Sequence, residues 1–345
     1  MNHILVTGGL GFIGSHCVVK LIDRNYQVIV CDNLSNSDLS VIDKINTITK
    51  RPDNLVFIQA DIRDFDHMDQ IFKNYQINCV MHFAALKSVN ESMQYPEMYQ
   101  SVNVQGTKNL LNIMKINNCK KFIYSSSATV YGDSPSPCTE ESMAGHGLTC
   151  NYAFNKYDVE QYLINSDQFC DWDITILRYF NPIGAHPSGI IGENPIGIPN
   201  NIFPYLLRVA VTAQKNQNHN HNPSSPYDFF TIFGNDYETP DGTCIRDYIH
   251  VQDLAQGHLR VMENQKIIQD SKPKIYNLGT GTGTSVMQLI DMMNQVLLSK
   301  HLNPIPILLG SRRMGDLDVC YANADKIYNE LQFKTTHSIR DMCVD

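Results

Sequence analysis

Ile4-Leu-Val-Thr-Gly-Gly-Leu-Gly-Phe-Ile-Gly-Ser-His16 joins an apolar run rich in β-branched residues to glycines at Gly8, Gly11 and Gly14, and an amphipathic segment follows. That is the pattern of a strand, a tight turn and a helix start. Glycine admits unusual backbone angles and lets main-chain N–H groups approach a pyrophosphate closely, at the positive end of the helix dipole. Eighteen residues after Gly14, a second apolar run, 27–31, ends in Asp32. A carboxylate there accepts hydrogen bonds from adenosine ribose hydroxyls and repels a 2′-phosphate, so the pattern reads as a site for NAD rather than NADP.

Strand-like runs at 55–59, 79–83, 122–125 and 174–178 continue the series, with helix-like segments near 12–24, 65–75, 97–116 and 152–166. This alternation predicts an α/β chain, a Rossmann-type doubly wound parallel sheet with ligands collecting at the carboxyl ends of its strands. Those ends are small or polar: Asp32-Asn33, Asp61-Ile62, Phe83-Ala84-Ala85, Ser125-Ser126-Ser127 and Tyr179-Phe180-Asn181. After residue 180 the texture turns to Pro, Gly and Asn. We therefore expect a nucleotide-binding domain at 1–180 and a smaller, loop-rich α/β substrate lobe at 181–345, with part of 246–265 returning to the first domain. Helices are expected near 202–213, 251–264 and 285–299, with a strand at 274–278. Ser338 is placed to cap a further helix, and the chain stops soon after, which reads as a shortened C-terminus.

The chain has 345 residues, 43% of them hydrophobic, and a formal charge of −8. Acidity of this order argues against a nucleic-acid or membrane surface. No apolar run approaches the ~18 residues of a membrane span, and the first strand leaves no room for a signal peptide. The ten cysteines are dispersed and form no C-x-x-C pair, so neither a disulfide framework nor a metal site is expected, and the chain reads as cytoplasmic. The polar segment 214–226 contains His219 and His221 but no acid or cysteine beside them, which reads as a solvated loop rather than a metal site.

Tyr152 and Lys156 are four residues apart and share one helical face. A phenol of ordinary pKa near ~10 is a poor base at neutral pH. An adjacent ammonium and a positively charged nicotinamide both favour the phenolate, which can then take a proton from a sugar hydroxyl. Ser127, at a strand end some twenty-five residues earlier, would hydrogen-bond the reacting oxygen.

Several further segments complete a pattern. They include Asp32-Asn-Leu-Ser-Asn-Ser37, His82-Phe-Ala-Ala-Leu-Lys87, Ser125-Ser-Ser-Ala-Thr-Val-Tyr-Gly-Asp133 and Arg178-Tyr-Phe-Asn-Pro-Ile-Gly-Ala-His-Pro-Ser-Gly189. In the second half come Gly197-Ile-Pro-Asn-Asn201, Ile232-Phe-Gly-Asn-Asp236, Asp241-Gly-Thr243, Arg246-Asp-Tyr-Ile-His-Val251 and Arg312-Arg-Met-Gly-Asp316. With the opening stretch they span nearly the whole chain. The sequence resembles the UDP-glucose 4-epimerases of the extended short-chain dehydrogenase/reductase superfamily.

The resemblance implies a tightly held NAD. Its contacts would be Gly8, Gly11, Phe12, Ile13, Gly14, Asp32, Asn33, Leu34, Ser35, Asn36 and Ser37. Asp61, Ile62, Phe83, Ala84, Ala85, Leu86, Lys87, Ser127, Tyr152, Lys156 and Phe180 would complete them. It implies UDP-glucose and UDP-galactose as substrates, contacted by Ser127, Ala128, Thr129, Tyr152, Asn181, Asn200, Asn201, Ile202, Phe233, Arg246, Arg313 and Asp316. Arg246 and Arg313 can neutralise a pyrophosphate, and Asp316 can accept from ribose hydroxyls. Cys320 falls where the resemblance places the wall beside the sugar C2, and a small residue there implies room for UDP-GlcNAc and UDP-GalNAc. A homodimer is implied as well, with 97–116 and 152–166 forming a helix bundle. Val102, Leu110, Leu111 and Met114 on the first, and Tyr157, Val159, Tyr162 and Leu163 on the second, are more apolar surface than a sheet should need.

The sequence departs from the family in four places. Asn151 stands where a proline is usual, Phe154-Asn155 replaces small residues, the 214–226 loop is longer, and a short C-terminal segment is lacking. Two rival readings are weaker. A 4,6-dehydratase would carry Asp-Glu where Ala128-Thr129 stand, and a non-catalytic NAD-sensing regulator would tend to lose the Tyr–Lys pair.

Overall fold

The structure, a computed structural model, describes residues 2–215, 225–266, 272–313 and 315–345. The first half alternates β1 (His3–Thr7), α1 (Phe12–Asp23), β2 (Gln27–Asp32), α2 (Ser40–Thr49), β3 (Leu55–Gln59), α3 (Phe65–Asn74) and β4 (Ile77–His82). Then come α4 (Val89–Gln94), α5 (Pro96–Tyr99), a π-helical segment (Gln100–Gly106), α6 (Thr107–Ile116), β5 (Lys121–Ser127), α7 (Asn151–Asn165) and β6 (Asp173–Tyr179). The remainder carries β7 (Asn181–Ile183), α8 (Ile202–Lys215), β8 (Phe230–Phe233), β9 (Ile245–Arg246), β10 (Tyr248–His250) and α9 (Val251–Glu263). It ends with β11 (Lys274–Leu278), β12 (Thr284–Ser285), α10 (Val286–Ser299), β13 (Ile307–Gly310), β14 (Val319–Cys320), α11 (Asp325–Leu331) and α12 (Ile339–Val344).

Seven strands form one parallel sheet in the order β11-β6-β5-β4-β1-β2-β3. Its central strands are near-continuous Val, Ile and Leu because helices cover both faces, so alternate residues have nowhere polar to point. One face packs on α1 and α9 through Val18, Ile22, Leu254 and Leu259; the other packs on α3, α6 and α7 through Met68, Leu110, Met114 and Val159. A separate core joins α8, α10 and α12 through Phe203, Leu206, Met293 and Met342. Ser338 caps α12 reciprocally with Asp341.

Three outcomes differ from the sequence reading. The helix expected over 97–116 is broken by the π segment, a widened turn that brings the Asn103 side chain onto the backbone N–H and C=O of Leu86 at 2.8 and 2.9 Å. Helix α2 was not foreseen, since its run of Val, Ile and Thr favours a strand and only Ile45 and Thr49 are buried. The apolar residues singled out for a helix bundle do not form a free face: Leu110, Leu111, Met114, Val159 and Leu163 all lie in the chain's own core. The polar segment 214–226 begins inside α8, and His219 and His221 lie outside the described residues.

Candidate active site

A cleft of about 770 Å³ is lined by the ends of β1, β2 and β4. Two glycines shape its floor. Gly8 has φ +67°, and a Cβ there would lie 2.6 Å from the Ala84 nitrogen; a Cβ on Gly14 would lie 2.3 Å from the Gly8 carbonyl oxygen. Backbone this tightly stacked is what a close-lying phosphate requires. Gly11 is the N-cap of α1, and no side chain caps that end, which leaves first-turn N–H groups for a ligand. The buried Asp32 carboxylate is fixed by Leu34 N (3.0 Å) and Ser37 Oγ (2.7 Å) on one oxygen and by Leu10 N (3.1 Å) on the other. A carboxylate offers about four acceptor positions, so capacity remains for a ribose hydroxyl. Asn33 donates to Asp61 (2.9 Å), whose carboxyl is held well below the usual range by the forked Arg63 guanidinium at 2.8–2.9 Å. These features fit NAD.

Every residue expected at the cofactor lines this cleft except Leu34, Ser127 and Phe180. Leu34 packs against the core at φ +62°, and Phe180 is buried with Ala128, Tyr131 and Cys138. The segment 189–196, which carries no recognisable signal, supplies another wall. Glu193 on it accepts from Lys87 (2.6 Å) and Asn201 (2.7 Å), so those side chains brace the wall.

Tyr152 and Lys156 close the inner end of the cleft. Burial pushes the Tyr152 phenol up to about 12, while the neighbouring Ser127 hydroxyl pulls the other way. Burial also pushes the Lys156 ammonium down to about 7, opposed by the negative charge of Glu160. The sequence suggested that Lys156 would lower the phenol's pKa. In the chain alone burial outweighs that, because both groups are withdrawn from water and the Lys156 nitrogen donates to the Ser125 carbonyl at 2.6 Å, 5.8 Å from the Tyr152 ring centre.

A second cleft of about 410 Å³ gathers Asn181, Asn200, Asn201, Ile202, Phe233, Arg246, Arg313 and Asp316 from β7, α8, β8, β9 and the segment before β14. The Arg313 guanidinium lies 4.1 Å above the Phe233 ring centre. Arg246 is anchored by the Ile245 and Leu317 carbonyls, each at 2.8 Å, and its other terminal nitrogen is 3.7 Å from Asp316. Asn200 donates to Ser88. Asn90, Tyr205 and Tyr248 also line this cleft and were missed, since a single polar or aromatic residue carries no signal until the fold brings it there. Ser127, Ala128, Thr129 and Cys320 line neither cleft, and the Ser127 hydroxyl accepts from Thr129 N (3.2 Å) and Thr129 Oγ1 (3.0 Å). Cys320 packs against the cluster of Ala128, Tyr131, Cys138, Phe180 and Ala322.

The sequence pattern of the NAD dependent epimerase/dehydratase family matches residues 4–279. The chain belongs to this family. It is 41% identical over 350 residues to UDP-glucose 4-epimerase 2 of Arabidopsis thaliana, across 99% of this chain and 93% of the relative. The crystal structure of UDP-glucose 4-epimerase from Bifidobacterium longum in complex with NAD⁺ and UDP superimposes with a TM-score of 0.87 at 41% identity, covering 99% and 96% of the two chains. That of the Stenotrophomonas maltophila enzyme with NAD and formylated UDP-arabinopyranose gives 0.88 at 39%, with the same coverage.

Within this epimerase/dehydratase, the unusual residues around Tyr152 tie its helix to the neighbouring ones. Asn151 donates to the Ser92 carbonyl at the α4 side (3.1 Å), and Asn155 donates to Gln100 in the π segment (2.7 Å). Helix α7 starts at Asn151 without a side-chain cap and carries Tyr152 and Lys156 in its first two turns. The thiols fit a small apolar role: eight of the ten cysteines are buried. No helix among the described residues is long and apolar enough to cross a membrane.

Proposed function

We propose that the protein interconverts UDP-glucose and UDP-galactose by inverting the sugar C4 through a transient 4-keto sugar, with NAD held throughout. The observation that carries this reading is Tyr152, one turn from Lys156, lining a dinucleotide cleft with it. The full-length similarity to UDP-glucose 4-epimerases supports it. When bound, NAD takes a hydride from C4 and returns it, so no external reductant is needed. Tyr152 accepts the O4 proton and gives it back, and Ser127 holds the reacting oxygen. Lys156 orients against the Ser125 carbonyl, and its positive charge favours the phenolate form of Tyr152, the form that accepts the proton.

In this reading the second cleft holds UDP. Arg246 and Arg313 face its pyrophosphate, Phe233 supports the Arg313 fork, and Asn181, Asn200, Asn201, Ile202 and Asp316 surround the remainder. Binding energy drawn mainly from UDP leaves the sugar loose enough to turn over and present either face of C4. A small residue at Cys320 favours acceptance of N-acetylated sugars too. The buried, dispersed thiols favour a reducing, cytoplasmic setting. A homodimer through the α4–α7 region draws support from exposed Met93, Tyr95, Met98 and Phe154, which replace the core residues expected there. A second lobe beginning near residue 181 draws support from the separate core around α8 and α10, while α9, β11 and α11 return to the core of the first domain.

The direct test is to incubate the purified protein with UDP-galactose and no added NAD and to follow UDP-glucose. Formation of UDP-glucose is expected. A protein that retains NAD but gives no turnover refutes the epimerase reading.

A further inference from the structure

Behind the Tyr152–Lys156 pair lies a buried ion pair that the reaction as described leaves unused. Glu160 follows Lys156 by one helical turn on the same face of α7 and has no solvent exposure; Arg178 on β6 is 3% exposed. Arg178 Nε donates to Glu160 Oε1 at 3.1 Å and Nη2 to Oε2 at 2.7 Å, a two-pronged clamp. Ser126 Oγ adds a third donor to Oε1 at 2.5 Å. The guanidinium in turn lies 4.7 Å from the Tyr131 ring centre, with one nitrogen turned to the Glu140 carbonyl at 3.5 Å.

The three serines that end β5 thus have three different tasks. The Ser125 carbonyl takes the Lys156 proton donor, the Ser126 hydroxyl fixes Glu160, and Ser127 meets Tyr152. Around Lys156 the other ionisable groups are neutral or remote. The Tyr124 ring centre lies 5.0 Å from its nitrogen; His82 on β4 is fully buried and pushed down to about 3; Tyr131 and Tyr179 are buried phenols whose pKa values burial raises; Asp158 is exposed. Glu160 is the buried acid on this face. It stands four residues after Lys156 on α7, with Arg178 reaching it from β6.

We propose that Glu160, clamped by Arg178 and Ser126, is a positioning residue that supplies the buried negative charge against which the Lys156 ammonium is balanced beside Tyr152. The inference rests on the epimerase reading of Tyr152 and Lys156. Burial alone disfavours a charged Lys156, and the opposing charge of Glu160 one turn away favours it. Arg178 tempers that effect because it shares the carboxylate.

The sign of each perturbation follows. Glu160→Gln leaves Arg178 uncompensated, so Lys156 loses its proton at lower pH. Arg178→Gln leaves Glu160 uncompensated, so Lys156 keeps its proton to higher pH. The double variant removes both charges and falls between wild type and Glu160→Gln.

The test is the pH profile of kcat for UDP-galactose epimerisation by the NAD-loaded enzyme, where the alkaline limb reports loss of the Lys156 proton. The limb should move down by about one unit or more in Glu160→Gln, a tenfold change in activity on that limb, and up in Arg178→Gln. Shifts of opposite sign are what a merely structural role cannot produce. Limbs that stay put, or that move the same way in both single variants, overturn the proposal. If the single variants do not fold, the double variant carries the test: a downward shift supports the proposal and an unmoved limb overturns it. Wild-type protein that fails to epimerise refutes the parent reading instead, so the two failures are distinct.

Discussion

Replacing Gly14 by Ala tests whether the turn after β1 holds the cofactor phosphates. Gly14 is the third residue of α1 and has ordinary helical angles, so on propensity alone alanine would stabilise the helix by up to ~1 kcal/mol. The structure opposes this. The new Cβ would sit 2.3 Å from the Gly8 carbonyl oxygen and 2.9 Å from Gly9 Cα, so the main chain must retreat by about 1 Å to reach ordinary contact near ~3.4 Å. Gly8 cannot easily give way, because its own Cβ direction is blocked by the Ala84 backbone at 2.6–2.8 Å. Overpacking of this kind costs roughly 1–3 kcal/mol, which offsets the helical gain and leaves the melting temperature nearly unchanged or a few degrees lower. Binding suffers more. A retreat of ~1 Å takes N–H groups of the turn out of hydrogen-bond range of a phosphate. Losing two bonds to a charged oxygen costs about 3–6 kcal/mol, or roughly 10²–10⁴-fold in Kd. The assay is NAD content of the purified variant, followed by calorimetric titration of stripped protein with NAD. Full NAD occupancy with a raised melting temperature would show that the cofactor phosphates do not rest on this turn.

Other outcomes follow from the same geometry. Tyr152→Phe should keep NAD and UDP affinity within a few fold while lowering kcat by about 10²–10⁴, measured under saturating UDP-galactose; a near wild-type kcat would remove Tyr152 from the role of base. Cys320→Tyr introduces a phenol into the packed cluster of Ala128, Tyr131 and Phe180 and should shift kcat/KM for UDP-galactosamine derivatives relative to UDP-galactose by more than about tenfold. Equal ratios in the two proteins would mean that Cys320 does not gate the sugar. For pH dependence, burial lowers His82 to about 3 and His16 and His258 to about 4, so all three are neutral in the folded chain at about pH 5. Unfolded histidines titrate near ~6.5, so this stability is complete above that pH and is lost as pH falls toward 4. Denaturant titrations between pH 6 and 5 should show uptake of close to three protons on unfolding, a slope of about 4 kcal/mol per pH unit; uptake of one or fewer contradicts the burial of these rings.

Local rules carried far along this chain. The β1 turn, Asp32 at the end of β2, the alternating elements and the Tyr152–Lys156 spacing depend on backbone geometry over a few residues, and the fold keeps them where the sequence put them. Where the reading went astray, a longer-range contact intervened. The single helix expected over 97–116 opened into a π turn because Asn103 found the Leu86 backbone. Leu110, Leu111 and Met114 went inward because α3 and the sheet offered them partners that periodicity cannot reveal. Strands as short as β9 and β14 leave no pattern at all, since two residues do not make a period.

By itself, then, the sequence determined the dinucleotide turn, the choice of parallel sheet and the pairing of Tyr152 with Lys156 on one helical face, each a matter of residue type and near spacing. Only the tertiary structure decided which charges meet. Glu160 and Arg178 stand eighteen residues apart on two successive elements, α7 and β6, yet form one clamp behind Lys156. Arg246 and Asp316 face each other across a cleft whose walls come from five separate segments. The reason is electrostatic. Burial strips away water, so the charge state of Lys156 and Tyr152 depends on the few groups within several ångströms, and those distances exist only once the chain has folded.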